Sequence, residues 1–367
     1  MKLLHVVPSF GIGGMEKVIC AFIKHTTPAY QHSILALDNN TQAGRWLQDE
    51  QVRFLNFEKP AQRRRFFRAL AAALRQARPD LLMTYTWGAT DAIWLGRLAG
   101  IRHIVHNEHG FNVDESRATL WTRDVIRLLV YRLASKVIVV SHELQTLLQR
   151  KYLLTADRVI RIPNGIDTSY YAPDPEEQRR VRKSLGFTDA HIVVGFSGRL
   201  DPIKNFDLLL HIFASCTRKN PHVKLLIVGD GPEKQRLETW CYAKRVHKSV
   251  VFAGQQENVL PYLRAMDVFL LTSLREQMPM TILEAMAVGV PVIASRVGEI
   301  PHMIDDRVNG FVHSLNDPVE TFVQPLLSLF SPAYRKRIGA AARQKIVESF
   351  QQETMVQRYQ AMIEGLL

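Results

Sequence analysis

Residues 275–287 read REQMPMTILEAMA, and they follow the apolar run VFLL of residues 268–271 after a gap of three residues. Four consecutive apolar residues are typical of a parallel strand that is covered on both faces. Pro279 suits the first turn of a helix, because the amide hydrogen that proline lacks is not needed there. The sequence therefore predicts a buried strand, a short loop and then a helix.

The start of this predicted helix has the features of an anion site. The backbone amides of Met280, Thr281 and Ile282 would be free at the positive end of the helix, which favours a phosphate. Glu276 precedes that end and Glu284 lies eight positions later, where its carboxylate can accept hydrogen bonds from two hydroxyls. Phosphates flanked by hydroxyls are the chemical pattern of a sugar nucleotide, so the loop predicts a site for one.

Apolar runs alternate with helical patterns on the amino-terminal side of this stretch and continue beyond it. Predicted strands cover residues 3–7, 33–37, 52–57, 81–85, 103–107, 136–140, 192–196, 224–228, 250–252, 268–271 and 292–294. Predicted helices cover residues 15–26, 63–77, 89–98, 119–133, 206–218, 233–244, 281–287 and 334–347. This alternation predicts an α/β chain with two doubly wound parallel sheets.

The predicted boundary between the two sheets follows a strand-and-turn pattern at residues 160–167. A stretch with two prolines and several acids, residues 170–177, is interpreted as the linker. The predicted domains are residues 1–168 and 169–351, and a final helix covers residues 352–367.

Composition limits the partners. The chain has 367 residues and a formal net charge of +12, which suits nucleic acid, anionic lipid or phosphorylated substrates. No zinc-finger spacing or RNA-binding signature is present, so nucleic acid is the weakest of the three. No run approaches the roughly 20 apolar residues of a membrane span. The three cysteines match no metal or redox pattern, and a cytoplasmic protein without a signal peptide is expected.

Two further loops are candidates for phosphate binding. Gly13 and Gly14 follow the first strand and open the first helix, although a tight turn without a ligand is the alternative. Arg199 and Lys204 lie five positions apart after the first strand of the second domain, where they could clamp a diphosphate. A solvated basic loop is the alternative there, but the carboxyl edge of a parallel sheet favours a binding role.

Three other segments carry candidate side chains. Gly229 and Asp230 could line the nucleotide pocket, or Asp230 could simply cap the next helix. His109 ends a strand of the first domain and could contact the reacting sugar, although a lone histidine is more often structural. Residues 62–75 predict a basic amphipathic helix that could lie on anionic lipid or pack as an ordinary surface helix. Its arginines are Arg63, Arg64, Arg65, Arg68 and Arg75.

Taken together, these motifs resemble the family-4 retaining glycosyltransferases of the GT-B fold. The most specific part is the pair Glu276 and Glu284, followed by the run AMAVGVPVIA of residues 285–294. Gly198-Arg199 with Lys204, the PNGID turn of residues 163–167 and the opening glycines support it. The segment Glu108-His109-Gly110 resembles that of transferases that build bacterial exopolysaccharide.

The resemblance implies a role for each matching residue. Arg199 and Lys204 would hold the donor diphosphate, with Gly13 and Gly14 close to the phosphates. Glu284 would bind the ribose and Glu276 the donor sugar, and His109 would lie beside the reacting sugar. Glu276 and His109 are thus the catalytic candidates, and the remaining donor-binding candidates are Gly229, Asp230, Met280 and Thr281.

The resemblance also implies the architecture and the reaction. Two Rossmann-like domains would face each other across a cleft, the first binding the acceptor and the second the donor, with the final helix packing back on the first. No metal or cofactor would be needed, since side-chain cations and a helix end offset the leaving-group charge. The family usually has glycine where Gln277 stands, and its later Gly-Gly-x-Pro-Glu element is replaced by residues 298–302, GEIPH.

We therefore expect a retaining transferase that moves a sugar from a UDP- or GDP-linked donor to a saccharide or lipid-linked acceptor. It would act in bacterial surface polysaccharide or glycolipid synthesis, at the inner face of the cytoplasmic membrane. A nucleotide-sugar 2-epimerase on the same fold and a non-catalytic nucleotide-sugar binding subunit are the alternatives. A dinucleotide oxidoreductase is the least favoured, because its glycine fingerprint is absent.

Overall fold

The computed structural model describes residues 1–110 and 121–366. The chain divides into two compact units. The first contains Met1–Asn164 together with Glu353–Leu367, and the second contains Gly165–Gln352.

The first unit is built on a seven-stranded parallel sheet. Its strands are β1 (Lys2–Val7), β2 (Gln31–Ala36), β3 (Val52–Leu55), β4 (Leu81–Tyr85), β5 (His103–Glu108), β6 (Lys136–Val139) and β7 (Val159–Arg161). Their order is β3-β2-β1-β4-β5-β6-β7. The central strands are buried on both faces, which explains why their sequences are mainly apolar.

Helices cover this sheet on both sides. The described helices are Gly14–Thr26, Arg63–Ala77, Asp91–Leu98, Trp121–Val130, His142–Arg150 and Gln352–Glu364. Parallel strands are joined by right-handed connections. The connections from β3 through β7 all run in the same direction across the sheet, so their helices share one face. The carboxy-terminal helix packs beside the first helix, where Tyr359 lies 5.4 Å from Phe22 between ring centroids.

The second unit is built on a six-stranded parallel sheet. Its strands are β8 (Ile192–Ser197), β9 (Val223–Val228), β10 (Val250–Gly254), β11 (Val268–Leu271), β12 (Val292–Ser295) and β13 (Phe311–His313), in the order β10-β9-β8-β11-β12-β13. Its helices are Pro175–Ser184, Phe206–Lys219, Lys234–Ala243, Leu260–Ala265, Met280–Ala287, Ile300–Met303, Glu320–Ser328 and Pro332–Ser349. The carboxyl ends of all six strands lie at one edge.

The α/β prediction with two parallel sheets is confirmed. Every predicted strand is present, and β11 has the predicted bounds Val268–Leu271. The three-residue strand β13 was missed because it is too short to show a pattern. The helices missed were His142–Arg150, Pro175–Ser184, Leu260–Ala265, Ile300–Met303 and Glu320–Ser328. Of the helix predicted over residues 119–133, residues 119 and 120 lie outside the described residues.

The linker prediction for residues 170–177 needs correction. Asp174 caps a helix that already begins at Pro175, accepting hydrogen bonds from the amides of Glu176 and Glu177. Arg264 donates to the backbone oxygen of Ala172 at 2.7 Å and pairs with Glu177. The stretch is therefore a packed part of the second unit, fixed by long-range contacts that composition does not reveal.

No helix in the described ranges is both long and apolar enough to cross a bilayer.

Candidate functional site

Two loops meet at the carboxyl edge of the second sheet, after β8 and β9. The amide of Leu200 donates to the backbone oxygen of Asp230 at 2.9 Å. A Cβ added at Gly229 would lie 1.9 Å from the backbone oxygen of Gly198, and Gly229 has φ +138°. Only glycine fits there. The structure therefore brings the Arg199 loop and the Gly229–Asp230 loop into direct contact, as parallel strand ends predict.

Arg199 is presented to solvent on this edge. Its side chain is 75% exposed, and its Nε lies 3.7 Å from Oδ2 of Asp201. A weak surface pair of this kind leaves the guanidinium available to an anion. Asp201 itself is fixed, since it accepts a hydrogen bond from the amide of Ile203 at 3.2 Å.

Lys204 is held instead by a partly buried ion pair. Its Nζ lies 2.6 Å from Oε1 of Glu276, and the two side chains are 18% and 12% exposed. Ser273 donates its hydroxyl to the same carboxylate oxygen at 2.7 Å. Two of the sequence-predicted site residues, from different loops, are thus in direct contact. This pairing orients the ammonium group of Lys204 at the strand edge.

The loop that carries Glu276 is fixed from its other side. The amide of Glu299 donates to the backbone oxygen of Gln277 at 2.8 Å. Gly298 has φ +56°, and a Cβ there would lie 1.9 Å from the backbone oxygen of Glu276. The GEIPH segment therefore supports the loop by close backbone packing, which only a glycine at residue 298 permits.

The helix after this loop begins at Met280, and Pro279 is its extended N-cap rather than its first residue. The amide of Ile282 donates to the backbone oxygen of Pro279 at 3.2 Å. The prediction that this amide is free is therefore wrong, because the first turn closes on itself. The amides of Met280 and Thr281 remain at the positive helix end, where an α-helix supplies no acceptor of its own.

Glu284 is a buried carboxylate in the same helix. It is 2% exposed, and the hydroxyl of Tyr171 donates to its Oε1 at 3.3 Å. Burial, with the nearby charge of Glu284, raises the pKa of Tyr171 far above its ordinary value. Tyr171 therefore stays a hydrogen-bond donor, which fixes the position of the carboxylate. Sequence reasoning missed Tyr171, because nothing in its local pattern separates it from the exposed Tyr170.

Asp230 matches its structural alternative in part. Its Oδ2 lies 3.0 Å from Nζ of Lys234 and its Oδ1 accepts from the amide of Gly231 at 2.7 Å. Hydrogen bonds from Lys234 and from that amide lower the pKa of Asp230. The side chain thus anchors the turn before the next helix, and a pocket-lining role for it stays a prediction.

In the first unit, Gly13 is the N-cap of the helix that starts at Gly14. Its backbone is extended, with φ −162°, so any residue could adopt it. A Cβ there would however lie 2.5 Å from Oε2 of Glu16, whose carboxyl folds back over the glycine. Burial and the nearby Asp38 charge raise the pKa of Glu16 to about 7. Near pH 7 this carboxyl is therefore protonated in part, which reduces its repulsion of a phosphate at the helix start.

His109 follows β5 and packs against the ring of Tyr85. Its ring stacks on Tyr85 with centroids 6.2 Å apart, and burial lowers its pKa to about 4. The imidazole is therefore neutral at pH 7, and its Nε2 has no hydrogen-bond partner among the described residues. Depending on the tautomer, Nε2 of a neutral ring can donate one hydrogen bond to an approaching hydroxyl or accept one from it.

Glu108 fixes the turn on which His109 sits. Its Oε1 accepts from the amide of Gly110 at 3.3 Å, and its Oε2 accepts from the hydroxyl of Tyr131 at 2.6 Å. Burial would raise the pKa of Glu108, but hydrogen bonds and charge from His106, Arg127 and Tyr131 outweigh it, so the pKa lies below its usual value. The carboxylate is therefore ionised and pins the backbone on both sides of His109.

A buried series of side-chain hydrogen bonds fixes the hydroxyl of Tyr85. Thr26 donates to the backbone oxygen of Phe22 at 2.6 Å, so it accepts from Nε2 of His32 at 2.9 Å. Nδ1 of His32 then accepts from Nε2 of His5 at 3.0 Å, and Nδ1 of His5 accepts from the hydroxyl of Tyr85 at 2.9 Å. Both histidines must be neutral for this sequence of donors to hold. The fully buried chain was not visible in the sequence, because its members are far apart.

The helix Arg63–Ala77 forms as predicted and buries Leu70, Ala71 and Leu74 on its inner face. Arg63, Arg64, Arg65 and Arg68 are all exposed. The amphipathic pattern is therefore confirmed, while the lipid contact stays a prediction.

Two family profiles match the chain, one in each half. The profile described as glycosyltransferase family 4 matches residues 12–170, and that described as glycosyl transferases group 1 matches residues 177–345. With the two parallel sheets and the loops at the strand ends of the second sheet, they define a glycosyltransferase of the GT-B fold. The chain belongs to the family-4, group 1 glycosyltransferases.

Individual relatives agree with this assignment. A GDP-mannose-dependent phosphatidylinositol monomannoside mannosyltransferase of Mycolicibacterium smegmatis is 32% identical over 282 residues, covering 74% of this chain and 72% of its own. A UDP-Gal:α-D-GlcNAc-diphosphoundecaprenol α-1,3-galactosyltransferase of Escherichia coli is 27% identical over 259 residues, covering 69% and 67%. The crystal structure of Anabaena HepE in complex with UDP-glucose has a TM-score of 0.86 at 22% identity and covers both chains fully.

Proposed function

We propose that this glycosyltransferase moves a sugar from a UDP- or GDP-linked donor to a saccharide or lipid-linked acceptor in bacterial surface polysaccharide or glycolipid synthesis. The observation that carries the proposal is the Lys204–Glu276 ion pair beside the start of the Met280–Ala287 helix. It supplies a fixed cation, a carboxylate and two amides that have no acceptor within their helix, all at one strand edge, which suits a diphosphate joined to a sugar. The named relatives that use UDP-galactose or GDP-mannose support this substrate class.

The donor would bind mainly to residues 169–351 and the acceptor to residues 1–168. Arg199, Lys204 and the amides of Met280 and Thr281 would hold the diphosphate. Glu284, fixed by Tyr171, would accept hydrogen bonds from the ribose hydroxyls. Gly229 and Asp230 would line the nucleotide pocket.

The transfer breaks the bond between the anomeric carbon and the diphosphate oxygen and forms one from that carbon to an acceptor oxygen. With front-face attack the acceptor proton passes to the leaving diphosphate, and the anomeric configuration is retained. Lys204 and Arg199 would offset the developing negative charge, so no divalent cation is required. Glu276 would contact the donor sugar, and neutral His109 would hold a sugar hydroxyl beside the reacting carbon. Gly13 and Gly14 would let the phosphates approach the first helix.

The test is incubation of the purified protein with UDP- and GDP-sugars, with and without a lipid-linked acceptor, in the presence of EDTA. Transfer with retained configuration, read by NMR of the product, is the expected result. Conversion of the donor without acceptor would instead identify a 2-epimerase. Donor binding in a thermal-shift screen with neither reaction would identify a binding subunit.

We further propose that the protein works in the cytoplasm as a peripheral protein at the inner face of the membrane, with Arg63, Arg64, Arg65 and Arg68 facing anionic lipid. Their exposure and the net charge of +12 support this placement. Neutralising Arg63, Arg64 and Arg65 together should weaken sedimentation with anionic vesicles. The matched control neutralises Arg179, Arg180 and Lys183, which are exposed in the second unit. Equal effects of both triple changes would contradict the placement.

A further inference from the structure

Large apolar side chains are exposed along one short segment of the first unit. Trp121, Val125, Leu129 and Leu133 are 74%, 44%, 60% and 39% exposed. Their spacing of four residues puts them on one side of the Trp121–Val130 helix and the turn that follows it. We call these four residues the Trp121–Leu133 stripe. A contiguous exposed apolar row of this kind marks an interaction surface.

The opposite side of the same helix is fixed in the protein. Arg127 is 1% exposed, and its guanidinium lies 4.9 Å from the ring centroid of Trp87. Asp124 lies 2.8 Å from Nζ of Lys151 and accepts from the hydroxyl of Tyr152 at 2.6 Å. These contacts fix the rotation of the helix about its axis. The stripe, which is on the other side of the helix, therefore faces solvent.

The stripe lies on the same face of the unit as the basic helix Arg63–Ala77. The right-handed connections from β3 through β7 place their helices side by side on that face. Phe67 of the basic helix packs on Trp94 of the next helix, with ring centroids 5.2 Å apart. Nε of Arg97, in that second helix, donates to the backbone oxygen of Leu133 at 2.7 Å. Leu98, which is 69% exposed, adds a further apolar side chain to this layer of helices.

The charge on this face selects the partner. The Arg63–Ala77 helix carries five arginines and no acidic residue. Two copies of the chain meeting here would bring two such helices together and repel each other. An anionic bilayer offers both complements, phosphate headgroups for arginine and an acyl boundary for tryptophan and leucine.

We propose that the Trp121–Leu133 stripe inserts into the interfacial layer of an anionic lipid bilayer, with Arg63, Arg64, Arg65 and Arg68 as its charged neighbours. The docking therefore has an apolar part as well as an electrostatic one. This docking rests on the proposed function, because a lipid-linked acceptor would lie in the same membrane surface.

The experiment is sedimentation of the full chain with vesicles of phosphatidylglycerol and phosphatidylethanolamine. In the test variant, Trp121→Ser is combined with Leu129→Ser. In the matched control, Tyr242→Ser is combined with Val308→Ser, which removes similarly exposed side chains from the second unit. We expect the test variant to lose at least about tenfold in vesicle partitioning, because two large apolar side chains no longer leave water. The control should bind as the unchanged protein does. Its ratio of binding in 0.5 M salt to binding in low salt should also match that of the unchanged protein.

Several results would overturn the proposal. Equal partitioning of the test and control variants would do so, as would a test variant that binds normally while neutralised arginines abolish binding. A protein that is oligomeric without lipid and becomes monomeric in the test variant would show that the stripe joins copies of the chain instead. Melting temperatures of both variants check that the fold is intact.

The docking and the proposed function fail separately. Sugar transfer to a short, water-soluble acceptor does not need the bilayer. Normal transfer by a protein that ignores anionic vesicles would overturn only the docking. Stripe-dependent vesicle binding by a protein that transfers no sugar would overturn only the proposed function.

Discussion

Nζ of Lys204 lies 2.6 Å from Oε1 of Glu276, so two candidate donor-site residues from different loops already form one unit. Ser273 donates to the same oxygen, so both interactions use Oε1 of Glu276 and neither uses its Oε2. The arrangement holds a cation and an anion ready at one strand edge. A diphosphate would approach the cation and sugar hydroxyls the anion.

Lys204→Ala should lower kcat/KM by about 10²–10³-fold, because a fixed charge that offsets the leaving diphosphate is lost. Steady-state kinetics with the donor found in the thermal-shift screen measure this. Lys219→Ala, at an exposed lysine of the same unit, is the control and should retain the full rate. Full turnover by Lys204→Ala would contradict its role as a diphosphate ligand.

Glu284→Gln should weaken nucleotide binding by about ten- to a hundredfold, since hydrogen bonds to a charged acceptor contribute about 1.5–3 kcal/mol. Tyr171→Phe should have a smaller effect of the same sign, because Tyr171 only orients the carboxylate. Isothermal titration with UDP and GDP measures both. Glu348→Gln changes an exposed carboxylate and serves as the control. Unchanged affinity in Glu284→Gln would remove the ribose assignment.

Gly229→Ala should lower the stability of the fold, whereas Gly13→Ala should lower turnover with little effect on stability. An added Cβ at Gly229 meets backbone at 1.9 Å and has a positive φ, so the change should destabilise the fold by about 1–3 kcal/mol. At Gly13 the Cβ meets only the movable end of Glu16. Its melting temperature should stay close to that of the unchanged protein while turnover falls. Thermal unfolding and kinetics on both variants separate the cases, and equal destabilisation would contradict the distinction.

Stability should fall as the pH is lowered from about 6.5 towards 4. Burial lowers the pKa of His32 to about 4 and, together with the charge of His32, that of His5 well below 6.5. In this window the unfolded chain binds protons that the folded chain excludes, so stability present above pH 6.5 is lost on acidification, by about 3 kcal/mol for His32.

Chemical denaturation at several pH values measures this slope. Combining His5→Asn with His32→Gln should make the slope shallower and leave the part due to His109, whereas His211→Gln, at an exposed histidine, should not change it. A pH slope that the double variant leaves unchanged would show that other groups cause it.

The fold was predictable because buried parallel strands carry unbroken apolar runs, as Val268–Leu271 does. The positions of Arg199, Lys204 and Glu276 were predictable for a related reason, since each follows a strand and strand ends share one edge. The partners that fix them were not. Tyr171 reaches Glu284 across 113 positions, and His5 reaches Tyr85 across 80. Such pairs depend on three-dimensional packing and leave no trace in local periodicity.

The carboxy-terminal helix has a consequence for biosynthesis. Tyr359 is 3% exposed in the first unit, where its hydroxyl lies 3.2 Å from Oδ1 of Asn107, although residues 165–352 of the second unit come before it in the chain. During translation the amino-terminal sheet must therefore wait for the whole second unit to emerge from the ribosome before its last packing partner arrives. Until then Phe22 has the rings of His5, Tyr30 and His32 as neighbours but lacks that of Tyr359.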